Sequence, residues 1–180
     1  MPSLAELEAR LDQVRQSPRD AGSVELIVRR PQEHEREVIE GGELTLQDGL
    51  VGDNWLARGN RHTRDGSADI DAQLTLMNAR AIALLAVDKS GWAPAGDQFF
   101  VDLDLSQENL PAGTRLAIGA AIVEVTAAPH LGCKQFAIRY GPDAVKWVNS
   151  PVGKQLRLRG LNARVVQPGA VRVGDVVKRL

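Results

Sequence analysis

Apolar residues along the chain follow two periods. Leu4, Leu7, Leu11 and Val14 recur three and four residues apart, the spacing of one helix face. Ser3 followed by Glu6 makes a capping box that satisfies two of the amides a helix start leaves open. An amphipathic helix is therefore predicted within residues 1–20, ending before Pro18. After the polar turn Ser17 to Ser23, Val24-Glu25-Leu26-Ile27-Val28-Arg29-Arg30 is a short β-branched run closed by Pro31, hence a strand. Val38-Ile39 and Leu44-Thr45-Leu46 flank Gly41-Gly42 and read as a strand pair about a glycine turn. Gln73 to Met77, Phe99 to Val101, Ala121 to Thr126, Leu161 to Val166 and Val171 to Val177 read as further strands, the last two separated by Gln167-Pro168-Gly169. Asn78 is the N-cap of a helix with Ala79, Ile82, Ala83, Leu85 and Ala86 on its apolar face. Cys133 to Tyr140 reads as another helix, stopped by Gly141-Pro142, and Asp143 caps a short third one toward Val148. Gly52-Asp53, Gly96-Asp97 and Gly174-Asp175 are turns.

Many short strands with few helices predict a mainly β fold, a barrel or compact β-rich domain with helices packed outside. No linker divides residues 24–180. One stretch, Asn54 to Asp71, is polar and without periodicity. A loop this long in a compact domain is usually functional, so it is expected to cover a site.

Composition narrows the function. At 180 residues, 43% hydrophobic and 25% charged, the chain suits one ordinary globular domain and excludes disorder. Aromatics are 4%, and 22 Lys and Arg against 23 Asp and Glu leave a net charge of −1, so both stacking platforms and the basic footprint of a nucleic-acid binder are missing. No segment approaches the roughly 20 apolar residues of a membrane span, and the N-terminus lacks a signal-peptide core. One cysteine cannot make an internal disulfide. A cytoplasmic protein with neither nucleic acid nor membrane as partner is expected.

Several chemistries fail on spacing. No glycine-rich phosphate loop is present. His34-Glu35 lacks its second zinc ligand because Val38 stands at the fifth position, and Asp102, Asp104 and Ser106 lack the glycine of a calcium loop, having Gln107 instead. What remains is Pro129-His130-Leu131-Gly132-Cys133-Lys134, where a strand ends and a helix begins at the cysteine. A helix start with Lys134 and Arg139 nearby favours thiolate, and His130 can orient or protonate it. A lone cysteine is more often a small buried hydrophobe, and that alternative stands at this stage.

Around this cysteine the chain resembles the MOSC domain, named for the C-terminal domain of molybdenum-cofactor sulfurases and also found as stand-alone bacterial proteins. Val125-Thr126-Ala127-Ala128-Pro129-His130-Leu131-Gly132-Cys133 is similar to the family's V-[ST]-x-P-R-x-P-C, with one extra residue before the proline. Gly160-Leu161-Asn162-Ala163-Arg164-Val165-Val166-Gln167-Pro168-Gly169 followed by Val173-Gly174-Asp175 resembles its G-x-x-A-R-V-x-x-P-G-x-[IV]-x-x-G-D, and Gly49-Leu50-Val51-Gly52-Asp53 its G-[IL]-x-G-D. These elements keep the family's order across residues 24–180. His130 stands in place of the family's Arg, Gly132 in place of Pro, and Gly96-Asp97-Gln98-Phe99 in place of G-E-N-[IL]; Arg61-His62-Thr63-Arg64 echoes an R-H-H-G-G loop.

The resemblance implies a β-barrel like the one inserted in pyruvate kinase, and two readings of the thiol. In the first, the protein is a sulfur carrier or sulfurtransferase, with Cys133 as persulfide acceptor, His130 as proton shuttle and a sulfur donor such as a cysteine desulfurase as partner. In the second, it is a molybdenum cofactor-binding module with Cys133 as metal ligand. Arg61, His62, Arg64, Lys134, Arg139 and Arg164 are the side chains expected to hold a cofactor or anionic ligand. The segment Asn54 to Asp71 is expected to bring Arg61, His62 and Arg64 to the thiol side.

Overall fold

The strand β1 (Ala21–Arg29) has an apolar side chain on both faces, and this accounts for the architecture. Val24 and Ile27 join one apolar cluster with Leu76, Phe99, Val101 and Val123, whereas Leu26 and Val28 join another with Met77, Phe100, Phe136 and Trp147. Residues three apart fall on opposite faces of a regular strand, so Val24 and Ile27 share one only because the register shifts between Val24 and Leu26.

The computed structural model describes residues 1–180. The other strands are β2 (Glu37–Ile39), β3 (Gly41–Thr45), β4 (Gly49–Leu50), β5 (Leu74–Asn78), β6 (Phe99–Asp102), β7 (Arg115–Ile118), β8 (Ala121–Val125), β9 (Leu161–Gln167), β10 (Gly169–Arg172) and β11 (Val176–Arg179). Seven of them run in the order β11-β7-β8-β9-β5-β6-β1, and β1 pairs back onto β11 through Ala21 with Lys178 and Ser23 with Val176, which closes the barrel. Neighbours in the ring are antiparallel except β5 and β6. A parallel pair needs a crossover, and helix α4 (Ala79–Leu85) lies within it. A separate sheet, β10-β3-β4, adds Leu44, Leu50 and Val171 to the barrel interior.

The remaining helices are α1 (Leu4–Ala9), α2 (Leu11–Arg15), α3 (Trp55–Arg58), α5 (Lys134–Tyr140), α6 (Pro142–Asn149) and α7 (Pro151–Gln155). Leu7, Val14, Phe136 and Trp147 from these helices, with Ile82 of α4, pack on the outward side chains of β1, β5 and β6 as the second apolar cluster. No helix is long and apolar enough to cross a membrane.

Several local expectations hold: the Ser3–Glu6 capping box forms, and the Asn78 side chain accepts the Ala81 amide at the start of α4. Others are corrected. The N-terminal helix breaks at Arg10 into α1 and α2. β2 and β3 do not pair with each other: β2 adds to β1 and β3 lies between β10 and β4, so Gly41 and Gly42 are strand residues. The run Val171 to Val177 divides because Gly174 turns with φ +88°, sending β10 and β11 to different sheets. α6 starts from Gly141, and the Asp143 carboxylate accepts the Leu4 amide at 3.2 Å, tying the first helix to it. The segment Asn54 to Asp71 contains the single turn of α3.

Candidate functional site

Cys133 ends the connection from β8 to α5 as the residue before the first turn, with a free, exposed thiol. The connection is anchored on both sides. The Gly132 amide donates to Asn149 Oδ1 and its carbonyl accepts from Asn149 Nδ2, each at 2.9 Å. Asn162 Nδ2 donates to the carbonyls of Ala128 and Pro129 at 3.1 and 3.2 Å. A Cβ at residue 132 would stand 2.7 Å from Val148 Cγ2, so glycine lets the loop approach α6 this closely.

Behind the loop lies a buried charge network. The Asp97 side chain is fully buried; Oδ1 contacts His130 Nε2 at 2.8 Å and Oδ2 accepts from Arg159 Nη1 at 2.6 Å. Arg159 also donates to the Ala95 carbonyl at 3.0 Å and stacks on Phe136 of α5, 4.8 Å from the ring centre. One carboxylate thus braces the chain three residues before Cys133 and, through Arg159, three residues after it. Burial pushes the Asp97 carboxyl up, but Arg159 and His130 outweigh it and hold the group below the usual carboxylate range. Burial and then the Arg159 charge push His130 below the ordinary histidine value, against the opposing pull of Asp97. His130 is therefore neutral at pH 7, with the proton on Nε2 facing Asp97.

In front of the helix is a cavity of about 230 Å³ with no hydrophobic side chain in its wall, formed by Arg30, Arg36, Arg58 and Arg139 with Gln32, Glu33, His34, Asn54 and Gln135. Arg30 is neutralised by the fully buried side chain of Asp53, donating to it through Nε at 2.8 Å and Nη2 at 2.7 Å. Arg36 and Arg139 donate only to the backbone carbonyls of Glu35 and Pro94. Burial, then the charges of Arg139 and Arg30, lower the Arg36 pKa; burial and then Arg30 lower that of Arg58. Arg36 Nε and Asn54 Oδ1 are buried without partners. Crowded guanidinium groups with unused donors have the chemistry to receive an anion. A second cavity, about 480 Å³, shares Glu33 and Arg58 and is walled by Trp55, Arg61, His62 and Asp69.

The expected residues are divided among these features. Cys133, His130, Lys134 and Arg139 belong to one loop and helix, with Arg139 in the arginine cavity and Lys134 exposed. Arg61 and His62 line the adjoining cavity, where Arg61 Nε donates to His62 Nε2 at 3.3 Å; Arg64 is exposed and lines neither. Arg164, on β9, is engaged with Glu124 at 2.7 Å and Asp71 at 3.6 Å. Arg30, Arg36, Arg58, Asp97 and Arg159 were outside the expected set. The available signal was the Gly-Asp dipeptide: Gly52 and Gly96, with φ +84° and +89°, turn the chain so that Asp53 and Asp97 point inward to the two buried arginines. No three His, Cys, Asp or Glu side chains converge as a metal cage.

A model of the MOSC domain matches residues 83–178. Among solved structures, the YuaD protein from Bacillus subtilis superposes with a TM-score of 0.64 at 16% identity over 88% of this chain and 95% of that one. YiiM from Escherichia coli gives 0.55 at 16% identity over 88% and 69%, and YiiM from Geobacillus stearothermophilus 0.55 at 15% over 88% and 73%. Likeness at this identity establishes the fold. No curated protein matches the chain.

Proposed function

Because this chain belongs to the MOSC domain family, we propose that it carries sulfur as a persulfide on Cys133, beside a cavity that receives an anionic partner of the transfer. The observation that carries this reading is the junction at α5: an exposed thiol precedes the helix, and Gln135 and Arg139 of that helix line the arginine cavity. Sulfur transfer needs an accessible thiolate and a way to deliver or remove a proton. Cys133 is accessible, and His130 is held in one tautomer by Asp97. Arg36, Arg58 and Arg139 supply a positive field that draws a charged donor or acceptor to the cavity beside the helix.

A second reading, cofactor binding, is favoured by the unpartnered Arg36 Nε and Asn54 Oδ1. The residues fit a molybdenum cofactor in this sense: without a three-ligand protein cage, the metal would have to arrive with ligands of its own, the arginines would hold the cofactor's phosphate, and Cys133 would be its one thiolate from the chain. Bound there, the cofactor would supply oxidation–reduction at molybdenum.

Incubation with a cysteine desulfurase and cysteine, read by intact mass, separates the two. The wild-type protein should gain one sulfur and pass it to a thiol, and Cys133→Ser should gain none. Protein that never acquires sulfur but carries stoichiometric molybdenum after native purification would replace the first reading with the second.

A further inference from the structure

The connection that ends at Cys133 lines a third cavity along its earlier stretch. Thr126, Ala128, His130 and Leu131 line a space of about 330 Å³, together with Lys154 and Arg157 from the segment around the end of α7. No acidic side chain lines it. Lys154 has no carboxylate partner, and Arg157 donates Nη1 to the carbonyls of Leu105 and Leu110, at 3.3 and 2.6 Å, so neither charge is cancelled. His130 is the link between this cavity and the buried network. Its Nε2 is occupied by Asp97, while Nδ1 has no partner in the protein and the side chain retains 18% exposure. A neutral imidazole with one nitrogen fixed by a buried carboxylate and the other free is a base whose tautomer and direction are set in advance. No feature of the arginine cavity requires this base, because His130 is not among the residues around it.

We propose that this cavity is the seat of the sulfur acceptor, a small thiol bearing a carboxylate, with Lys154 answering the carboxylate and His130, oriented by Asp97, taking the thiol proton. The proposal rests on the persulfide reading for its chemistry, though not for the existence of the site. The acceptor S–H gives its proton to His130 Nδ1 and the thiolate attacks the outer sulfur of the Cys133 persulfide. An S–S bond forms to the acceptor as the S–S bond to Cys133 breaks, and the electron pair of the broken bond leaves on Sγ. The proton on His130 then passes to the Cys133 thiolate, so the acceptor ends as a persulfide, Cys133 ends as a thiol, and no external oxidant or reductant is consumed. The two ends of the transfer then belong to separate cavities, with anionic donor chemistry at Arg36, Arg58 and Arg139 beside α5 and acceptor chemistry at His130 and Lys154 beside the loop that precedes Cys133.

The chain has three histidines, so imidazole proton signals can be followed one by one. Titrating the Cys133→Ser protein with 3-mercaptopropionate should move the His130 signals saturably while those of His34 and His62 stay in place, and Lys154→Glu should weaken that binding about tenfold. Absence of a saturable His130 shift, or one that Lys154→Glu does not weaken, overturns the site. In a second experiment, on sulfur-loaded protein, release to 3-mercaptopropionate should exceed release to cysteamine about tenfold in kcat/KM, and Lys154→Glu should erase that preference. His130→Gln should lower kcat about 10²-fold for both thiols, a loss that a purely structural role for the imidazole would not confine to the transfer step. Equal rates for the two thiols overturn the acceptor assignment while leaving the persulfide reading intact. A protein that binds 3-mercaptopropionate at His130 but never takes up sulfur has the reverse meaning.

Discussion

Two sets of arginines adjoin helix α5, and they differ in what answers their charge. Arg30 and Arg159 are buried, and each meets a fully buried carboxylate, Asp53 or Asp97, that a Gly-Asp turn aims inward. Arg36, Arg58 and Arg139 crowd one cavity with no carboxylate bonded to any of them. In the first set each charge is paired, although Arg159 Nε is buried without a partner, and removing one member leaves an uncompensated charge in a medium that cannot solvate it. The second set shares its wall with the Glu33 carboxylate but bonds to no carboxylate, which leaves its donors open toward the cavity. Charge answered from within serves the fold, and the proposed function assigns the charge left unpaired at the cavity wall to a ligand.

The contrast can be broken by substitution. Asp97→Ala strands both Arg159 and His130, and should cost about 3–5 kcal/mol of stability in urea unfolding. If it costs under about 1 kcal/mol, the network is not the brace assigned to it. Arg36→Gln should do the opposite. Unfolding stability should stay within about 0.5 kcal/mol, because a like charge is removed from its neighbours, whereas affinity for inorganic phosphate or molybdate, followed by equilibrium dialysis, should fall about tenfold. A stability loss as large as that of Asp97→Ala would put Arg36 in the first set.

Acid should sharpen the same division. His130 and Asp97 both have folded values below their ordinary ones of 6.5 and 3.8, so the unfolded chain binds protons more readily than the native one. The stability each contributes is fully present above its ordinary value and is lost as pH falls from there through its folded value, first through His130 below about pH 6.5 and then through Asp97 below about pH 4. His130→Gln should remove the first loss and leave the second, as measured by unfolding midpoint against pH. The smallest effect is expected at Arg164, whose partly exposed pairing with Glu124 should be worth about 0.2–1 kcal/mol and whose replacement by Ala should leave anion affinity unchanged.

What could be read in the sequence was local. The capping box at Ser3, the N-cap at Asn78 and the helix start at Cys133 depend on neighbours within one or two turns, and each is found in the structure, whereas the stripe from Leu4 to Val14 is divided between two helices. Partner choice is not local: Val38-Ile39 lies close to Leu44 in the chain yet pairs with β1, because the barrel edge offers it more backbone than the glycine turn does. β7 went unread because Arg115-Leu116-Ala117-Ile118 is only four residues long, and its burial comes from pairing with β8 and β11. The arginine cavity was invisible for a related reason. Its cations come from residues 30, 36, 58 and 139, and nothing in their spacing marks them as neighbours. The Gly-Asp dipeptides are legible as turns, but that Asp53 and Asp97 face inward is decided by the buried guanidinium groups of Arg30 and Arg159 opposite them.

Closure of the barrel also sets a clock. Ala21 to Ser23 pair with Val176 to Lys178, so one seam of the ring joins segments separated by most of the chain. During synthesis β1 is made early and waits for β11, and until then β1 and β7 each present a bare hydrogen-bonding edge. Seams of this long range place such topologies among the slower folders, on the millisecond-to-second scale once the chain is complete. A ribosome pausing before Val176 prolongs the interval in which two such edges on neighbouring nascent chains can find each other.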